Sequence, residues 1–204
     1  MSKSLELSRI YQNVLLGPDV VVEEFCLVGV PPRGSMDGEL KTTIGNGAHL
    51  RSHTIVYAGN RIGSHFQTGN KVNIRELNEI GDNVSIGTLS VVEHHVRIGN
   101  NVRIHSQVFV PEYSVLEDGA WLGPNVVLTN AKYPLSPGAK ENLMGPTIRR
   151  GAKIGANTTI LPGVVIGRNA LVGAGSVVVK DVPENGVVVG NPARLIKDIA
   201  TLPY

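Results

Sequence analysis

Residues able to move protons recur at one spacing in this chain. Glu76, His94, Glu112 and Asn130 stand eighteen residues apart. The series beside it reads Leu77, His95, Tyr113 and Ala131, and another reads Asn70, Thr88, Ser106 and Pro124. If the fold brings every eighteenth residue into register, neighbours within a series lie about 5 Å apart. Glu76, His94 and Glu112 then make a carboxylate–imidazole–carboxylate ladder. Flanking carboxylates favour the protonated imidazole and fix which ring nitrogen carries hydrogen. That is general acid–base chemistry. A stack of solvated turn residues would show the same residue types, so the elements that carry them decide what the ladder means. His105, directly after Ile104, is a further imidazole at the edge of the Ser106 series.

Those elements follow a period of six. From Ile44 every sixth residue reads Ile44, Leu50, Val56, Ile62, Thr68, Ile74, Ile80, Ile86 and onward to Leu128, with Thr68 the one polar member. The phase also covers Ile10, Leu16, Val22 and Val28, and returns at Ile148 through Val178. Four residues after each aliphatic position comes a smaller or branched residue, from which Asn60, Phe66 and Asn78 depart. A period of six holds no constant face on a helix of 3.6 residues per turn. It suits short strands joined by tight turns, three to a triangular coil of eighteen, stacked as parallel β-structure around an aliphatic column. Gly-Asp-Asn at 81–83, Gly-Asn-Asn at 99–101 and Gly-Ala-Asn at 155–157 supply residues that tolerate positive φ at the turns. About eight coils at a strand spacing of roughly 4.8 Å give a prism about 40 Å long.

Two segments break the phase. Residues 31–42, PPRGSMDGELKT, and residues 129–147, TNAKYPLSPGAKENLMGPT, read as loops thrown from the coil. Asn191-Pro192 reads as a helix cap followed by a first-turn proline, which predicts a short helix over 192–200. The expected organisation is therefore a β-helix domain over 1–190 and a short helical tail over 191–204.

Composition agrees with an all-β chain. The sequence has 204 residues, with 28 Val and 15 Ile beside 24 Gly and 12 Pro, and only 4% aromatics, so a helical bundle is disfavoured. A single cysteine, Cys26, excludes an internal disulfide framework and a cysteine-based zinc site. A net charge of +2 is too balanced to imply nucleic acid. The apolar runs are too short for a membrane span. The start, MSKSLELSRI, lacks the unbroken apolar core of a signal peptide, and the expected location is the cytoplasm.

Three strings, GANTTILPGVVIG (155–167), VGAGSVVVKDVP (172–183) and VVGNPAR (188–194), resemble the terminal coils of coenzyme A-dependent hexapeptide acyltransferases. GPNVVLTNAKYP (123–134), with FQTGNKVNIRE (66–76) and IGDNVSIGT (80–88), resembles the subgroup that N-acylates nucleotide-linked amino sugars for surface polysaccharides. The resemblance implies a left-handed parallel β-helix, a homotrimer with sites between subunits, and acetyl-CoA or another short acyl-CoA as co-substrate. It places coenzyme contacts at Ala174, Val179, Lys180 and Arg194, the last two facing phosphates. No metal is implied.

The reaction sets what the ladder must do. A sugar hydroxyl needs a general base, whereas a deprotonated sugar amine attacks a thioester without further activation. The amine still needs alignment, a proton acceptor and stabilisation of the oxyanion. His94 with Glu76 is the expected proton acceptor or relay; Asn130 and Ser106 are the expected orienting residues. The hexapeptide O-acetyltransferases of galactosides and maltose carry a base His in a Thr-x-x-His-Pro-Leu-like loop. Here Tyr133 precedes Pro134-Leu135. An ordinary tyrosine, with a pKa near 10, is a poor base at neutral pH, so an amine acceptor is favoured. Sugar O-acetylation and a non-catalytic structural prism are the alternatives. A γ-type carbonic anhydrase needs three histidines across an interface; the family's pair five apart is missing here.

Overall fold

The computed structural model describes residues 7–203. Residues 1–6 and 204, which hold part of the stretch MSKSLELSRI and the outer ends of the two expected domains, lie outside the described residues. The chain is a left-handed parallel β-helix. Among the described residues its strands form three sheets of nine, eight and ten strands. The first sheet runs from Arg9–Ile10 to Val177–Val178, the second from Val14–Leu16 to Val165–Ile166, and the third from Val21–Val22 to the C-terminal tail. Most strands are two residues long, and the chain visits the sheets in turn.

The register shows why the period is six. Ile74 pairs with Val92, Ile80 with Ile98 and Ile86 with Ile104, each eighteen residues on. The second residue of each short strand points inward, and this aliphatic column is buried from Val22 to Val178. The first residue points out. Thr68, the polar exception, is buried; its hydroxyl accepts from Arg51 N at 2.9 Å and meets the Thr54 hydroxyl at 3.0 Å.

The corners explain the other departures. Phe66 fills the interior with no exposure, and Asn60 and Asn78 are as deeply buried. Asn60 Nδ2 donates to the carbonyls of Tyr57 and Arg75, both at 2.7 Å, and its Oδ1 accepts from Asn78 N at 3.0 Å. Asn78 repeats this one coil on: Nδ2 donates to Arg75 O at 2.8 Å, and Oδ1 accepts from Val96 N at 2.7 Å. The two amides thus satisfy backbone groups inside the corner between the first and second sheets, where an unpaired donor or acceptor is costly.

Two long steps interrupt the register. Leu27 pairs with Ile55 and Val115 with Thr147, so chain is thrown out before each return to the sheets at Thr42 and Thr147. The longer excursion leaves the first corner after Asn130. Met144 N donates to Asn130 O and Gly163 N to Met144 O, both at 2.9 Å, which closes the loop's base.

The tail is not the helix that Asn191-Pro192 predicted. Ala193–Asp198 form a strand antiparallel to Gly186–Gly190, and only Ile199–Thr201 turn helically, as a 3-10 segment. Gly190, at φ +105°, opens the reversal. The last strand of the third sheet offers unpaired backbone groups, and the tail satisfies them by pairing. Among the described residues no helix is long and apolar enough to cross a membrane.

Candidate active site

The first corner, between the first and second sheets, carries the ladder. Register along the first sheet stacks Glu76, His94, Glu112, Asn130, Pro162 and Lys180 in one column. The preceding column holds Tyr57, Arg75 and Glu93, and the following one Leu77, His95 and Tyr113. At 59°, 57° and 64°, the φ angles of Leu77, His95 and Tyr113 are left-handed. The opposite corner uses Asn83, Asn101 and Asn169 at that position, which accept it readily. Bulky residues are held there against their preference, as are Lys71, Leu89 and Gln107 at the corner between the third and first sheets.

Asn130 Nδ2 donates to Glu112 Oε2 at 2.7 Å, and Glu112 Oε1 lies 3.6 Å from His94 Nε2. His94 Nδ1 and His95 Nδ1 are 2.7 Å apart, so one ring donates and the other accepts. With His94 Nδ1 accepting, its Nε2 carries hydrogen toward Glu112. The Tyr113 ring stands at 6.2 Å from His94 and 5.7 Å from His95, between centroids. Asn130, Glu112, His94 and His95 therefore form a connected polar chain.

Glu76 is not part of that chain. Arg75 takes both its oxygens, Nε to Oε2 at 2.9 Å and Nη2 to Oε1 at 3.0 Å. Burial opposes ionisation of Glu76, but the Arg75 bonds outweigh it and hold the carboxyl below its ordinary value. The guanidinium also stands 5.0 Å over the Tyr57 ring and 3.4 Å from Glu93. Glu93 shifts the other way. Burial raises it, Arg75 opposes, and the charges of Glu112 and Glu76 add to the rise. Arg75 and Glu93 were missed in the sequence reading, which had already set Glu112 beside His94; the eighteen-residue register around Glu76 and His94 contains both.

The structure does not bring Ser106 to His94. Ser106 shares the corner between the third and first sheets with Asn70 and Thr88, and it lines a groove of about 210 Å³ with Gln67, Ser85, Arg103 and His105. The His105 ring packs on Trp121 with centroids 4.7 Å apart. Ala174 belongs to this second corner, close against the backbone of Gly155, where a Cβ would fall 2.4 Å from Ala174 N. Arg194 sits on the tail strand opposite Val189, its guanidinium donating to Ala193 O at 3.1 Å. Val179 and Lys180 belong to the first corner instead. Seven of the eight expected residues thus divide between the two corners that border the first sheet, and Arg194 stands on the tail strand. Its outward residues between them are Arg9, Leu27, Ile55, Asn73, Val91, Phe109, Val127, Thr159 and Val177, charged only at Arg9.

Above the ladder the excursion encloses a cavity of about 470 Å³ lined by Asn130, Lys132, Tyr133, Glu141, Asn142 and Pro162 among others. Tyr133 is exposed and its ring meets Lys132 Nζ at 5.5 Å. Among the described residues no group of three or more His, Cys, Asp or Glu could hold a metal ion.

Known proteins share these features in part. The sequence profile described as bacterial transferase hexapeptide (six repeats) matches residues 79–112 and 145–180. Galactoside O-acetyltransferase of Escherichia coli (strain K12) is 35% identical over 111 residues, 52% of this chain and 55% of that protein. A dTDP-3-amino-3,6-dideoxy-alpha-D-galactopyranose 3-N-acetyltransferase of Aneurinibacillus thermoaerophilus is 52% identical over 48 residues, 24% of this chain and 25% of that protein. The chain spans little more than half the length of the first curated relatives it matches. The solved UDP-N-acetylglucosamine acyltransferase of Francisella novicida superposes on 96% of this chain and 70% of its own, with a TM-score of 0.64 at 15% identity, a likeness of fold.

Proposed function

We propose that this protein is an acyl-CoA-dependent N-acyltransferase that acetylates the amino group of a nucleotide-linked amino-deoxy sugar for surface-polysaccharide synthesis in the cytoplasm. The observation that carries the reading is the connected chain Asn130–Glu112–His94–His95 under the excursion loop, with Lys180 in the same column. The hexapeptide match over these coils and the acetyltransferase relatives support the reaction class.

In this reading acyl-CoA lies along the prism edge. Lys180 and Arg194 meet its phosphates, and its pantetheine passes the small turn at Ala174 and the Val179 backbone. The acceptor enters beneath the loop. Its nitrogen attacks the thioester carbonyl, and the proton leaves through the imidazole–carboxylate cluster centred on His94. Glu112, fixed by Asn130, holds the ring. Glu76 holds Arg75 at the foot of the column. Three copies pack through the outward face of the first sheet, uncharged from Leu27 to Val177, in a closed cyclic arrangement. That packing sets the first corner of one copy beside the second corner of the next, joining Ser106 and Ala174 to His94 and Lys180.

Sugar O-acetylation is the second reading, favoured by the longer match to the galactoside enzyme. The two separate on acceptors. Thiol release from acetyl-CoA is followed with nucleotide-linked 3-amino and 4-amino sugars beside their hydroxyl counterparts. Turnover confined to the amines is expected; turnover of the hydroxyl sugars alone overturns the N-acyl assignment.

A further inference from the structure

Three carboxylates stand at the first corner, and their partners differ. Glu76 gives both oxygens to Arg75 in two short bonds. Glu112 gives one to Asn130 and turns the other to His94. Glu93 keeps one long contact, 3.4 Å from Arg75 Nη1, and among the described residues its other oxygen has no hydrogen-bond partner. Its side chain is 20% exposed, enclosed yet reachable. The charged groups facing it are Arg75 from the coil before, Glu112 from the coil after, and His94 and Glu76 from the adjoining column. Pro111, the next member of its own column, adds no charge.

We infer that Glu93 is the carboxylate on which the acceptor's proton comes to rest, and that Arg75, shared unequally between Glu76 and Glu93, sets how readily it does so. The inference rests on the acyl-transfer reading. A bond forms between the acceptor nitrogen and the thioester carbonyl carbon. The carbon–sulfur bond breaks and coenzyme A leaves as its thiolate. The nitrogen's proton passes to the Glu93 carboxylate, directly or through His94, and then to the thiolate or to water. Glu76 cannot take this part, because protonating it would break two charge-assisted bonds to Arg75. Glu93 loses only one weak contact, and its enclosed position already favours the protonated form.

Arg75 supplies a signature that a merely structural acid would not. Removing the charge of Glu76 releases the guanidinium to pair closely with Glu93, which then becomes a stronger acid. The test measures kcat/KM against pH for the full chain, with acetyl-CoA and an amino-sugar acceptor, in wild type, Glu93→Gln and Glu76→Gln. Glu93→Gln is expected to lower kcat about 100-fold, leave the KM for acetyl-CoA unchanged and remove the part of the acidic limb that lies beyond the acceptor amine's own protonation. Glu76→Gln is expected to move that limb to lower pH by about one unit. Melting curves matching wild type show that both variants fold. An active wild type whose Glu93→Gln variant keeps its rate and acidic limb, or whose Glu76→Gln variant keeps the limb in place, overturns the inference alone. A wild type that releases no thiol with any acceptor overturns the acyl-transfer reading, and this role with it.

Discussion

At the scale of residues, a side chain's partners matter more than its place in a column. His94 is hydrogen-bonded at one ring nitrogen, to His95, and its other ring nitrogen lies 3.6 Å from Glu112. Replacing it with Ala should lower kcat by about 100-fold while the KM for the acyl donor holds; unchanged kinetics would remove it from the reaction. Asn130→Ala frees Glu112 to turn away, and a smaller fall, about tenfold, is expected in the same assay. The eighteen-residue spacing revealed this column because parallel register repeats each corner position once per coil. It did not reveal that Glu76 belongs to Arg75, since adjacent residues at a corner point in directions that spacing leaves undefined. Ser106 belongs to a separate series: twelve residues from His94 is two sides of a triangle, so it falls on another corner.

Elsewhere a carboxylate acts on stability. Glu23 accepts from Ser52 N at 2.9 Å and meets His49 Nε2 at 2.8 Å. The backbone bond, with His49, holds its carboxyl below the ordinary value against the effect of burial. This contribution is complete above the ordinary carboxylate pKa and is lost as pH falls through the lowered one. Glu23→Gln should therefore narrow the difference in unfolding free energy between neutral and acidic pH, by no more than about 1 kcal/mol at this partly exposed site, as read by denaturant titration at the two pH values.

At the scale of elements, the first corner is built from the inside. Asn60 and Asn78 converge on the carbonyl of Arg75, the residue whose side chain clamps Glu76. Asn78→Val leaves that carbonyl short of a donor and Val96 N without its acceptor, and should cost about 1–3 kcal/mol in denaturant unfolding. The sequence marked both asparagines as breaks in the pattern, while their hydrogen bonds required the three-dimensional corner. The excursion loop is tied at its base to Asn130 and Gly163 but stands outside the aliphatic column. Replacing 131–143 with a short turn should keep the melting temperature near wild type and abolish transfer. Loss of folding instead would show the loop to be structural. The tail was misread because a local cap signal cannot register an open sheet edge, which recruited Ala193–Asp198 as a strand.

At the scale of the whole molecule, the aliphatic column carries the fold, and the proposed assembly uses the outward face of the first sheet, uncharged from Leu27 to Val177. Each coil rests on its neighbours, so a cavity anywhere weakens the stack. Leu122→Ala, at a fully buried position, should cost about 2–5 kcal/mol. The column was legible because one aliphatic residue per rung is what a triangular coil requires. The proposed assembly is less so, since a face of Val, Ile and Phe indicates burial without naming the partner. Sedimentation equilibrium is expected to give three chains, and Val91→Glu to dissociate them and remove activity together. The idea beneath all of this is that the coil's edge grips a thioester donor. Calorimetric titration of coenzyme A into the protein tests it most directly: saturable heat at one site per chain, weakened about tenfold by Lys180→Ala, is the expected result, and a titration with no heat and no protection from melting contradicts it.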